Sequence, residues 1–173
     1  MSPTMASLLK LALPVAGSIF LLVKFGRKEF LAQALRWPTL TAALGFLALY
    51  LGWMLATDFV VGWRGPWDFQ PWRDAPIASS VLRLLAVVVA GPIFEEIVFR
   101  GVAFGLLCRT RIGPAGAILV TSAVWAAIHV DYSPTIIAIL FVAGLILGLA
   151  RWRSGSVYLP AIMHILWNMY AIW

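Results

Sequence analysis

Six apolar stretches of roughly membrane-crossing length, parted by short polar breaks, constrain this 173-residue chain more than any other feature. A helix needs about 20 apolar residues to cross the ~30 Å hydrocarbon core of a bilayer. The stretches cover about Met5–Val23, Thr39–Thr57, Ile77–Cys108, Pro114–Val130, Pro134–Ala150 and Val157–Trp173. Only 12% of residues are charged, about half the share in ordinary soluble proteins. The expected fold is therefore all-α: a polytopic membrane helix bundle of about six transmembrane helices. No small-residue cleavage site follows the first run, which reads as a retained span rather than a signal peptide. Residues 1–76 read as a two-helix membrane segment with an interfacial loop, and residues 77–173 as the catalytic core.

The net charge of +6 raises nucleic acid as a partner, but the basic residues lie in the breaks between spans rather than on one face. Lys24, Arg27, Lys28 and Arg36 fall between spans one and two, Arg109 and Arg111 between three and four, Arg151 and Arg153 between five and six. Alternating helices put these three loops on one side. Asp58, Asp68, Asp74 and Asp131 fall on the other. The positive-inside rule then places the basic loops in the cytoplasm and both termini outside, as in a bacterial inner-membrane protein. The segment Asp58–Ala75 carries three tryptophans among its prolines and glycines, a composition that settles at the headgroup level. The single cysteine, Cys108, excludes an internal disulfide and reads as a small apolar residue.

Against this background the stretch GPIFEEIVFRG, Gly91–Gly101, is out of place. Ionisable residues inside spans are costly and mark function by default. They are Glu95, Glu96 and Arg100 in span three, His129 in span four and His164 in span six, joined by the polar Asn168. Glu96 and Arg100 stand four residues apart and share a helical face, which suits an ion pair. Glu95 is rotated by about 100° from Glu96 and is left without that partner. Trp125 and His129, and His164 and Asn168, repeat the four-residue spacing. At ~1.5 Å per residue, Glu95, His129 and His164 lie roughly 20, 24 and 15 Å from their cytoplasmic helix ends, within one slab. Gly91-Pro92 is placed to kink span three beside them. A carboxylate, two imidazoles and a carboxamide can activate water and hold an oxyanion. The chemistry expected is peptide-bond hydrolysis within a membrane: Glu95 takes a proton from water, His129 helps to orient that water, and His164 and Asn168 donate to the attacked carbonyl oxygen. There is no HExxH, GxSxG or GxGD pattern to support zinc, serine or aspartyl protease chemistry.

These residues form three ordered motifs that resemble those of the CPBP family, the CAAX proteases and bacteriocin-processing (Abi) enzymes. EEIVFRG (Glu95–Gly101) is similar to its EExxxR, WAAIH (Trp125–His129) to its FxxxH, and HILWN (His164–Asn168) to its HxxxN. The resemblance implies a helical intramembrane protease of glutamic type, with Glu95 as general base, His129 assisting, and His164 and Asn168 as the oxyanion site. Trp125 departs from the phenylalanine usual at its position and keeps an aromatic wall. The family has also been described as metal-dependent, and Glu95, His129 and His164 are the alternative set for Zn²⁺. The metal-free form is favoured, because Arg100 claims Glu96 and no other carboxylate remains to act as base. The expected partners are the bilayer and a membrane-anchored protein or peptide, such as an exported protein with a C-terminal anchor tail; nucleic acid is not one. Competing readings are a CAAX-type prenyl-protein endopeptidase, a non-catalytic scaffold or immunity protein, and a small transporter. The last lacks a visible internal repeat.

Overall fold

The computed structural model describes residues 2–64 and 70–172, and every regular element among them is a helix. Six are long: α1 (Pro3–Phe25), α2 (Leu40–Val61), α3 (Ile77–Leu107), α4 (Gly113–Ala127), α5 (Pro134–Ser154) and α6 (Tyr158–Ala171). Single turns at Glu29–Ala32 and Gln70–Arg73 lie between them. Each long helix coincides with one of the six apolar stretches. Among the described residues, α1, α2, α3 and α5 are the helices long and apolar enough to cross a membrane. The 15 residues of α4 and 14 of α6 reach about 21–23 Å, short of the hydrocarbon core.

Helix ends follow the local chemistry. Ser2, Thr39 and Ser133 cap α1, α2 and α5, each accepting a backbone N–H three residues on. Gly62 and Gly155 end α2 and α5 in the left-handed conformation, at φ 61° and 67°. The α4 stretch was expected to continue to Val130 but stops at Ala127. Pro134 forces extended backbone on the residue before it, and Ser133 sits at φ −63°, ψ 155° as the cap of α5, leaving a short turn in which to reverse.

Helix α5 forms the centre of the bundle, with Ala143, Leu147 and Ala150 fully buried. Its small residues bring α4 close. A Cβ at Gly144 would stand 3.0 Å from Ser122 Cβ, and one at Gly148 2.9 Å from Ile118 Cγ2. Such close approach is how helices associate where no hydrophobic driving force separates them from lipid. Helix α1 runs parallel to α3: Ser7 and Ser79 hydroxyls meet at 3.1 Å, and Gly17 faces the Phe94 ring further along both.

Pro92 does not break α3. The chain widens to π-helical turns at Leu85–Ala90 and Ile97–Ala103, on either side of an α-helical turn, Gly91–Glu96. A proline in a regular α-helix collides with the carbonyl four residues back, and the wider turn relieves this. It also releases the Val87 carbonyl: Gly91 N–H donates to Ala86 O instead, and Pro92 has no N–H. The second π turn leaves the Arg100 carbonyl open, since Phe104 N–H turns to Phe99 and Gly101.

Two positions differ from the sequence reading. Arg151, expected in a basic loop, lies in the last turn of α5 and is buried, its Nε donating to Arg100 O at 2.9 Å and its guanidinium over the Phe104 ring. Asp58, expected in the loop after span two, lies within α2, accepting from Arg64 and from the Tyr170 hydroxyl. Of the Trp- and Pro-rich segment, residues 65–69 lie outside the described residues. Trp63, just before them, folds back and stacks on Trp167 at 5.2 Å.

Candidate active site

Helices α3, α4 and α6 bring the motif residues to one cavity of about 450 Å³, whose wall includes Glu95, Trp125, His129, His164 and Asn168. Glu95 and Glu96 face different partners, as their helical phase requires. Glu96 and Arg100 are fully buried and joined by an ion pair, Arg100 Nη1 donating to Glu96 Oε1 at 2.8 Å. Arg100 Nη2 donates to Gly144 O at 3.2 Å, and its guanidinium lies 4.9 Å from the Trp125 ring centre. The charge is thereby matched by a carboxylate, a carbonyl and a π face, which is what a buried guanidinium requires.

Glu96 does more than match Arg100. Its Oε1 also takes His164 Nδ1 at 3.0 Å. A carboxylate can only accept here, so Nδ1 carries the proton and Nε2 faces the cavity, 4.0 Å from Glu95 Oε2. His129 is fixed in the same tautomer by a different device. It stands two residues beyond the end of α4, where Nδ1 donates to the Trp125 carbonyl at 2.8 Å. That carbonyl belongs to the last helical turn, whose acceptors lack intrahelical partners. Asn168 Nδ2 donates to Val87 O at 2.9 Å, the carbonyl released by the first π turn. Its second N–H remains for another acceptor.

The residue undervalued in the sequence is Trp125. It is 1% exposed, and its Nε1 donates to Glu95 Oε2 at 2.6 Å. Both histidine rings stand edge-on to it, each at 5.2 Å. The departure from phenylalanine therefore supplies a donor to the carboxylate that phenylalanine lacks. A hydrogen bond to a charged group contributes ~1.5–3 kcal/mol. Trp125→Phe keeps the wall but frees Glu95 to turn, so kcat should fall about tenfold while KM stays within about twofold. Steady-state kinetics check this; an unchanged kcat would make the indole N–H a bystander.

Among the described residues, no three His, Cys, Asp or Glu side chains converge to hold a metal ion. Arg83, inside α3, is exposed, with its guanidinium over the Trp72 ring.

Comparison with known proteins adds two findings. A family model described as type II CAAX prenyl endopeptidase, Rce1-like, matches residues 77–170, which include all three motifs. An Escherichia coli protein described as "uncharacterized 24.3 kDa protein" is 32% identical over 132 residues, covering 73% of this chain and 58% of the relative. The chain thus spans less than two thirds of that relative. No solved structure matches the chain.

Proposed function

The chain belongs to the Rce1-like family of type II CAAX prenyl endopeptidases, and from that premise we propose that it is an intramembrane endopeptidase of glutamic type, with Glu95 as the base. The observation that carries this reading is the surroundings of Glu95. Its carboxylate, 28% exposed at the side chain, is fixed by the Trp125 N–H at one oxygen and opens to a cavity that also presents two imidazole Nε2 atoms.

In the proposed reaction Glu95 takes one proton from water as the hydroxide bonds to the scissile carbonyl carbon. His129 Nε2 accepts the second hydrogen of that water and sets its direction. The carbonyl oxygen becomes an oxyanion beside Asn168, whose free N–H donates to it. His164 Nε2 donates only when the ring is doubly protonated, a state reached by taking the proton held by Glu95. That proton then passes to the leaving amine as the C–N bond breaks, and Glu95 and His164 return to their starting states. Positioned proton transfer contributes roughly 10²–10⁴-fold, and hydrogen bonds aimed at the oxyanion about as much. No metal ion is required in this scheme.

The proposed substrates are membrane-anchored proteins or peptides, including exported proteins with C-terminal anchor tails. The proposed setting is a bacterial inner membrane with the basic loops in the cytoplasm. The experiment is reconstitution of the purified chain in lipid vesicles with a membrane-anchored peptide carrying a prenylated cysteine. Cleavage is expected, and His129→Ala should lower kcat about 100-fold, the worth of one water-orienting acceptor. Wild-type activity in His129→Ala would remove that residue from the mechanism.

A further inference from the structure

At the end of the bundle that carries the basic breaks, two guanidinium groups stand together without a counter-charge. The Arg36 guanidinium lies against Gly155, which ends α5. Arg151 is one helical turn earlier, buried, and within electrostatic reach of Arg36. Its Nε is taken by Arg100 O, and its two Nη groups make no hydrogen bond among the described residues. The Cys108 thiol is also near. Among the described residues no carboxylate stands within ion-pair distance of either arginine, and Glu29, in the turn after α1, is engaged by Arg109 and Gln33. Backbone contacts fix this placement: Ser156 Oγ donates to Arg36 O, and Val157 N–H donates to Ala34 O at 2.9 Å. Like charges held side by side call for an anion.

An apolar groove of about 410 Å³ begins beside them. Trp37, next in the chain to Arg36, and Tyr158 line one end of it, with ring centres 5.1 Å apart. Beyond them the walls are Ile162 and Ile165 of α6, Ile93 and Ile97 of α3, and Leu22 of α1. Tyr158 to Ile165 is ~10 Å along α6. Aromatic rings settle at the headgroup level, so the groove below them lies among acyl chains. Cations at the head and an apolar slot beneath match an amphiphile with a negative headgroup. We propose that Arg36 and Arg151 bind the phosphate of an anionic phospholipid, one acyl chain of which lies in the groove between α1, α3 and α6. Guanidinium groups take phosphate oxygens through paired N–H donors. A zwitterionic lipid brings the same phosphate with a cation of its own, which the arginine pair repels. The groove backs the turn of α3 that carries Glu96, so the bound lipid also supports the fold around that residue.

The test measures binding and is therefore independent of the endopeptidase reading. The purified chain in neutral detergent is titrated with dioleoyl phosphatidylglycerol or dioleoyl phosphatidylcholine, which share their chains and differ in the head, and the complexes are counted by native mass spectrometry. Wild type should bind the anionic lipid about tenfold more tightly. Arg36→Gln should bring the two affinities within about twofold, and Arg36→Lys, which keeps the charge without the fork, should retain part of the preference. Arg36 is exposed, so Arg36→Gln should keep the wild-type unfolding midpoint in the absence of lipid. Ala161→Trp, which fills the groove, should weaken binding of the anionic lipid with both arginines in place. Equal affinity of wild type for the two lipids refutes the site. So does an undiminished preference in Arg36→Gln, which would assign it to the basic loops at large. Inorganic phosphate that raises the midpoint as far as the anionic lipid, or wild-type lipid binding by Ala161→Trp, would leave an anion site without a lipid and overturn the proposal.

Discussion

Glu95→Gln should abolish measurable cleavage, lowering kcat/KM by about 10³-fold or more, as expected when a general base is removed. The substitution is nearly isosteric. The glutamine carbonyl can still accept the Trp125 N–H that holds Glu95 Oε2 at 2.6 Å, so the wall of the cavity is kept. What is lost is the ability to take a proton from water. The measurement pairs kcat/KM on the vesicle-bound peptide with thermal unfolding in detergent. The midpoint should remain close to that of wild type, which separates a chemical loss from a folding one. Activity within tenfold of wild type would leave His164 and His129, rather than Glu95, as the candidates for the base.

What the sequence revealed, and what it hid, follows from how far each interaction reaches along the chain. Carboxylates and imidazoles in apolar spans are conspicuous, and the spacing of four places Glu96 with Arg100 on one face without any structure. The contacts that orient the side chains around the cavity are not of that kind. Trp125 reads as an aromatic wall, yet its N–H meets a carboxylate 30 residues away. The partner of Asn168 is a carbonyl released only because α3 widens to π-helical turns around Pro92. The same proline suggested a kink, and the structure absorbs it by a change of helical pitch. Glu96 reads as fully occupied by Arg100, but a carboxylate oxygen has two lone pairs, and the second meets His164 from another helix. Arg151 reads as an interfacial charge because it follows a long apolar run; its burial depends on the open Arg100 carbonyl that a second π turn leaves behind.

The largest stability effect is expected at Arg100. It is fully buried, and its removal leaves Glu96 as a buried charge met by the His164 N–H but by no cation. Breaking a buried pair by deleting one partner costs ~3–5 kcal/mol, a large part of the ~5–15 kcal/mol that holds a typical domain together. Arg100→Ala should therefore cut the yield of folded protein sharply and lower its unfolding midpoint in detergent. The charge is the cause rather than the missing bulk, and a second variant shows which. In Arg100→Met/Glu96→Gln the volume is largely kept and no charge is stranded, so the double variant should be more stable than Arg100→Ala. It should nevertheless be a poor enzyme. The amide that replaces the Glu96 carboxylate can present its oxygen to His164 Nδ1, but it no longer bears the charge that selects the Nδ1–H tautomer. Arg100→Lys should recover little, since one ammonium cannot reach Glu96 and Gly144 O together while lying flat on the Trp125 ring. A double variant as unstable as Arg100→Ala would show that packing, and not the ion pair, governs this corner of the bundle.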